Sequence, residues 1–315
     1  MTFEKDKNEL RKVYAELLIN SAAADDRIVV CEADLMSSNG TASFFKAYPD
    51  RAFNVGIAEA NMVGVASGMA ASGKLPFINT FTAFATRRCY DQICISAAYT
   101  HLPVRIIGTD PGLMAEVNGG THMSMEDLAI MRAMPNMTVF EPVDEAQFRA
   151  AWDWILSYEE PLYIRLHRKN CTKIFGEDDS FTPGKLSTVK DGSDVCIFAS
   201  GIMVKNALEA ADMLAADGLD AAVVNIHTVK PLDVDGVTAW AKKCGAVVTA
   251  ENGTIVGGVG SAVCEALAEN CPVPVKRIGV TDHFGEVGLL PYLEEKYGMT
   301  AADIAAAAKA VAARK

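Results

Sequence analysis

Residues 52–79 read AFNVGIAEANMVGVASGMAASGKLPFIN. A short apolar run (52–55) leads into a long stretch of small and apolar residues at helical spacing (59–72). After Gly73-Lys74 a second apolar run follows (76–79), which makes the whole a strand–helix–strand unit. The same alternation continues in both directions. Strand-like runs lie at 27–31, 104–108, 138–140, 162–166, 195–199, 221–226, 246–249 and 275–280. Helical stretches lie at 9–20, 85–99, 145–157, 204–216 and 261–269, with an Ala-rich one from Ala301. Such a pattern predicts an α/β protein of two doubly wound domains with mainly parallel sheets. The unbroken hydrophobicity of Val104–Ile107 suits a strand buried on both faces. Residues 170–194, rich in Gly, Pro, Ser and acid, hold no sustained period. They divide a first domain (1–173) from a second (194–315), with 174–193 as linker.

The 315 residues are half hydrophobic and 22% charged, a globular mixture. The net charge of −11 speaks against a general nucleic-acid or anionic-membrane binder, since both need a clustered basic surface. An anionic substrate must then be met by a few placed cations inside a cleft. The polar start has no apolar core of a secretory signal, and no apolar run reaches the length of a membrane span. Eight cysteines without a C-x-x-C pair read as buried thiols rather than metal ligands. The expectation is a reduced, cytoplasmic protein with no metal site of its own.

In open parallel sheets ligands lie beyond the carboxyl ends of the strands. Four junctions there carry chemistry. Glu59 opens a helix among small apolar residues, where burial disfavours a carboxylate and the helix N-terminus favours it. It could share a proton with a ring nitrogen, or simply serve the helix dipole. Phe81 and Phe84 follow a strand and could wall a flat ring or fill a core, with Arg87-Arg88 just beyond. A Gly-rich loop from Gly108 through Asp110 and Gly119-Gly120 ends at His122, an imidazole suited to moving protons near neutrality. Arg165-Leu-His167-Arg168-Lys169 follows another strand and could clamp a phosphate or line a solvated edge. In the second domain, Gly257-Gly258-Val259-Gly260 opens a helix but departs from G-x-G-x-x-G, and reads as tight helix–sheet packing.

Taken together these motifs resemble, in order and over nearly the whole chain, the C-terminal half of transketolases: a pyrimidine-binding domain and a C-terminal domain of thiamine-diphosphate enzymes. Gly56-Ile-Ala-Glu59-Ala-Asn-Met62 resembles the segment bearing the activating glutamate, and Thr80-Phe81-Thr-Ala-Phe84 the aromatic wall of the cofactor's aminopyrimidine. Gly120-Thr121-His122 matches G-P-T-H with glycine for proline, and Pro135-Asn136-Met137 followed by Pro142 matches a further signature.

The resemblance implies Glu59 and His122 as catalytic residues, and Glu59, Phe81, Phe84 and Arg87 against the cofactor. It also implies Arg11, Ser38, Asp110 and Arg168 around the substrate phosphate. Asp110 replaces a family histidine, Asn118 replaces an aspartate, and Arg87 stands where some members carry a third aromatic. Asp110 and Tyr90-Asp91-Gln92 lie nearer the pattern of 1-deoxy-D-xylulose-5-phosphate synthases. The G-D-G…N motif that grips Mg²⁺ and diphosphate in the family's N-terminal half is missing, and the chain starts where the pyrimidine-binding domain should start. The expectation is therefore one subunit of a split transketolase in an α2β2 assembly, with Mg²⁺ held by an N-terminal-half partner. Its reaction would move a two-carbon ketol unit between sugar phosphates, as in pentose phosphate metabolism. A synthase-like subunit using pyruvate, or a non-catalytic scaffold half, stays open.

Overall fold

The computed structural model describes residues 3–176, 179 and 181–315. Twelve strands form two sheets among these residues. β1 (Ile28–Glu32), β2 (Ala52–Asn54), β3 (Leu75–Phe81), β4 (Arg105–Thr109), β5 (Thr138–Phe140) and β6 (Leu162–Leu166) belong to the first part of the chain. β7 (Ser187–Lys190), β8 (Val195–Ala199), β9 (Ala221–Asn225), β10 (Thr228–Lys230), β11 (Val247–Thr254) and β12 (Val275–Val280) follow. The larger sheet runs β10-β5-β6-β4-β3-β1-β2 and the smaller β12-β11-β8-β9-β7. All neighbours are parallel except β10 with β5 and β7 with β9. β1, β4, β6, β8 and β9 are buried along their whole length, because helices cover both faces. No helix among the described residues is long and apolar enough to cross a membrane.

The order of the larger sheet reverses at β1, which has β2 on one side and β3 on the other. This switch point opens a crevice beyond the carboxyl ends of the strands. Phe81 ends β3, and Glu59, Asp110 and Arg168 lie past strand ends on the same side. Behind the sheet, Tyr14, Phe77, Phe148 and Trp152 form an aromatic core, with Phe77 and Trp152 stacked at 5.8 Å.

Several expectations are refined. The helical stretch 85–99 is broken into a short helix (Thr82–Ala85), a tight turn (Arg87–Cys89) and a wide turn (Ile93–Ala98). Thr86 leaves helical geometry (φ −120°, ψ −89°), and its hydroxyl bonds the Thr82 carbonyl at 2.7 Å instead. The stretch 145–157 divides at Ala151. The span 174–193 holds a strand, β7, antiparallel on the edge of the smaller sheet. β10, inside the second half of the chain, closes the edge of the larger sheet, so the two units share a sheet as well as an interface.

That interface is built on a buried ionic cluster. Arg165 donates to both oxygens of Asp127 (2.8 and 2.9 Å), to Glu141 (2.9 Å) and to the Asn252 carbonyl (2.6 Å). All three charged side chains are fully buried. The Asn252 side chain binds back to Leu113 N and the Pro111 carbonyl. Groups of the first unit thus reach the carboxyl ends of β8 and β11: Glu141 packs on Gly201, and Arg165 and Leu113 bond Asn252.

The Gly257–Gly260 turn is also filled from within. Glu251, fully buried, accepts from Val259 N (2.7 Å) and Gly260 N (2.8 Å). A Cβ on Gly258 would lie 1.9 Å from Glu251 Oε2. The amides that would cradle a phosphate hold an internal carboxylate, so this motif is packing.

Candidate active site

Glu59 is the first residue of the helix Glu59–Ala71 and only 4% of its side chain is exposed. Its Oε1 accepts from Arg88 Nη1 at 2.8 Å, while Oε2 takes no hydrogen bond among the described residues. The Arg88 guanidinium lies 3.9 Å over the Phe84 ring. Phe84 and Phe81 are 6.2 Å apart, and His122 meets both edge-on, at 5.3 and 6.0 Å. On the other side of Phe81 stands Arg168, its guanidinium 4.8 Å from the ring centre. Arg168 Nε donates to Asp110 Oδ2 at 2.6 Å. An acid, two stacked cations, two aromatic rings and an imidazole therefore line one wall of the crevice.

The loop that carries His122 is held from two directions. Arg87 donates to the Thr121 carbonyl (3.1 Å) and pairs with Glu126 (3.0 Å). The Thr121 hydroxyl lies 2.9 Å from His122 Nδ1. On the far side the loop presses on the second unit: a Cβ on Gly120 would sit 2.3 Å from the Gly285 carbonyl, and a Cβ on Gly285 would sit 2.2 Å from Met123 Sδ. The glycine that replaces the family's proline thus makes room for residues of the C-terminal domain.

The expected residues divide accordingly. Glu59, Phe81, Phe84, His122, Asp110 and Arg168 come together. Arg87 is close by but braces the loop rather than facing the rings; the adjacent Arg88 does that, where the resemblance implies Arg87. The pair Arg87-Arg88 was the available signal, yet the turn at Thr86 decides which one points inward. Arg11 adjoins Arg168 through the backbone (Arg11 N to Arg168 O, 3.4 Å), and its guanidinium bonds Glu9 and the Ser38 carbonyl. Ser38 meets Arg11 with its carbonyl, not its hydroxyl. His167 leaves the cationic group: it is buried, and that burial pushes its imidazole down to about 4, so it is neutral. Lys169 turns to Glu116.

Buried polar groups support this wall from behind. Glu32, at the end of β1, accepts from Asn39 (2.9 Å) and Thr41 (2.6 Å), and Asn39 in turn accepts from Thr109 (2.9 Å). Burial outweighs these donors and raises the Glu32 carboxyl to about 8.

Known proteins share this two-domain architecture. The family model for the transketolase pyrimidine-binding domain matches residues 6–173, and that for the transketolase C-terminal domain matches residues 184–304. A 6-deoxy-6-sulfo-D-fructose transketolase subunit from Clostridium sp. (strain MSTE9) is 55% identical over 98% of this chain and 96% of its own length. A 1-deoxy-D-xylulose-5-phosphate synthase from Syntrophotalea carbinolica is 37% identical, with this chain spanning half of its length. Among solved structures, a split-gene transketolase described as an inactive beta4 tetramer superposes with a TM-score of 0.88 at 44% identity, covering 97% of this chain and 98% of that one. The chain belongs to the transketolase family, whose pyrimidine-binding and C-terminal domains it comprises.

Proposed function

We propose that this chain joins an N-terminal-half subunit, which holds Mg²⁺ and the diphosphate, in a cytoplasmic α2β2 transketolase. The complex moves a two-carbon ketol unit from a ketose carrying phosphate or sulfonate on its far carbon to an aldose. The observation that carries this reading is the wall of Glu59, Phe84, Phe81 and His122. A buried carboxyl with one oxygen free, beside two tilted rings, is the set of groups that an aminopyrimidine needs. Bound thiamine diphosphate supplies the carbon nucleophile that takes up the ketol unit.

Glu59 holds a proton at the aminopyrimidine ring nitrogen through its free Oε2, and Phe81 and Phe84 keep that ring in place. His122 meets the donor's hydroxyl or carbonyl oxygen and moves its proton. Arg168, with Arg11 and Ser38 beside it, orients the anionic tail, so that remote binding energy serves alignment. The outward face of the Glu59 helix supports a covering partner. Ile57 is 77% exposed, and added Cβ atoms on Gly64 and Gly68 would meet nothing within 4 Å. These glycines answer no need of this chain's own packing. The eight cysteines are all free, as suits a reducing compartment.

The test is Glu59→Gln in the complex reconstituted with partner and thiamine diphosphate. About a 100-fold loss or more of ketol transfer is expected, with an unchanged circular dichroism spectrum. Near-normal turnover would end the assignment. Release of CO₂ from pyruvate, in place of transfer between sugars, would favour the synthase-like reading.

A further inference from the structure

The cations at the anionic-tail end of the crevice are already answered by this chain's own carboxylates. Arg168 is paired with Asp110, whose side chain is 3% exposed. Arg11 donates twice to Glu9 (3.1 and 3.0 Å), and the same carboxylate takes Lys12 at 3.2 Å. Beyond them Lys169 is matched by Glu116. His167, buried next to Arg168, is neutral. Arg11, Lys12 and Arg168 against Glu9 and Asp110 leave a single positive charge. Asp110 also keeps one buried oxygen, Oδ1, without a partner among the described residues, so its charge is only partly answered and repels any added negative charge.

On these grounds we infer that the subsite selects a singly charged tail, a sulfonate rather than a phosphate dianion, and that Asp110 sets this preference. The inference rests on the ketol-transfer function proposed above. A sulfonate is a strong acid and carries one negative charge at every working pH. A phosphate monoester loses its second proton near 6 and carries nearly two charges at pH 7. A tail with one charge neutralises the subsite; a dianion leaves an excess negative charge close to Asp110 in a partly desolvated crevice.

The experiment uses the complete complex with thiamine diphosphate and glycolaldehyde as acceptor, so that the donor is the only charged sugar. Donors are 6-deoxy-6-sulfo-D-fructose and D-fructose 6-phosphate, compared as kcat/KM from pH 5.5 to 8. The sulfonate is expected to lead at pH 8. The phosphate donor should gain about tenfold relative to it as pH falls through 6 and the dianion takes up a proton. Asp110→Asn, which keeps shape and tolerates the residue's positive φ of 51°, should shift the ratio toward phosphate by about tenfold at pH 8. Glu9→Gln, at a partly exposed position, should move it the same way, which covers the case of a misfolded Asp110 variant. A ratio flat with pH, or variants that weaken both donors equally, would overturn the inference while leaving the proposed function standing. Transfer from neither donor would overturn both.

Discussion

Replacing Arg165 by methionine isolates the worth of the first unit's buried ionic cluster and of its one bond to the second unit. The side chain is fully buried and gives four hydrogen bonds, to Asp127 twice, to Glu141 and to the Asn252 carbonyl. Methionine fills much of the volume but leaves two buried carboxylates without a counter-charge. One of them, Glu141, already has an oxygen lacking a hydrogen bond. Removing one partner of a buried pair costs about 3–5 kcal/mol, and the lost bond to Asn252 adds about 1 kcal/mol. Two features limit the damage: Tyr163 still donates to Asp127 at 2.7 Å, and burial already raises the Glu141 carboxyl, so it can take up a proton. A loss of about 4 kcal/mol follows. Urea unfolding followed by tryptophan fluorescence measures it, since Trp152 and Trp154 report on the first unit and Trp240 on the second. As a reference, Arg149→Ala breaks the half-exposed pairs with Glu16 and Glu145 and should cost no more than about 1 kcal/mol. Adding Asp127→Leu and Glu141→Leu to Arg165→Met should recover much of the loss, because no orphaned charge remains. If Arg165→Met alone lay within about 1 kcal/mol of the parent, the cluster would not carry the stability assigned to it here.

Gly120→Pro, which restores the family residue, drives a Cβ toward the Gly285 carbonyl at 2.3 Å; about 1–3 kcal/mol of stability should go, and an unchanged melting temperature would show that the two loops do not press on each other. Arg87→Ala should hardly touch stability, since its pair with Glu126 is half-exposed. It should nonetheless lower kcat about tenfold by loosening the His122 loop; a loss confined to KM would argue against that. The Glu32 carboxyl titrates at about 8 when folded, against 4.5 for the free side chain. The folded state thus binds more protons between these values, and stability must fall as pH rises through that window. Glu32→Gln should flatten the fall, as followed by melting temperature from pH 5 to 8.5; an equally steep decline in the variant would exclude Glu32 as its source.

Much of the fold is legible before any coordinates. Strands buried on both faces must be continuously apolar, so β4 and β8 announce themselves. Side chains placed just after such strands must lie at one rim of the sheet, which is why Glu59, Phe81, Asp110 and Arg168 could be picked out. β7 could not, because Ser187–Lys190 is a short edge strand with little buried surface to mark it. Nor could β10, whose three residues add to the sheet of the other unit through contacts remote in sequence.

The amino-acid order by itself determined the βα alternation, the family, and the residue types at the strand ends, because each depends on neighbours along the chain. Tertiary structure alone decided how those groups are paired. It turned Arg88 rather than Arg87 toward Glu59, closed the glycine turn on Glu251, buried His167 as a neutral ring and set Asp110 against Arg168. Charge pairing and desolvation act between groups close in space and far apart in sequence, and no local pattern records them.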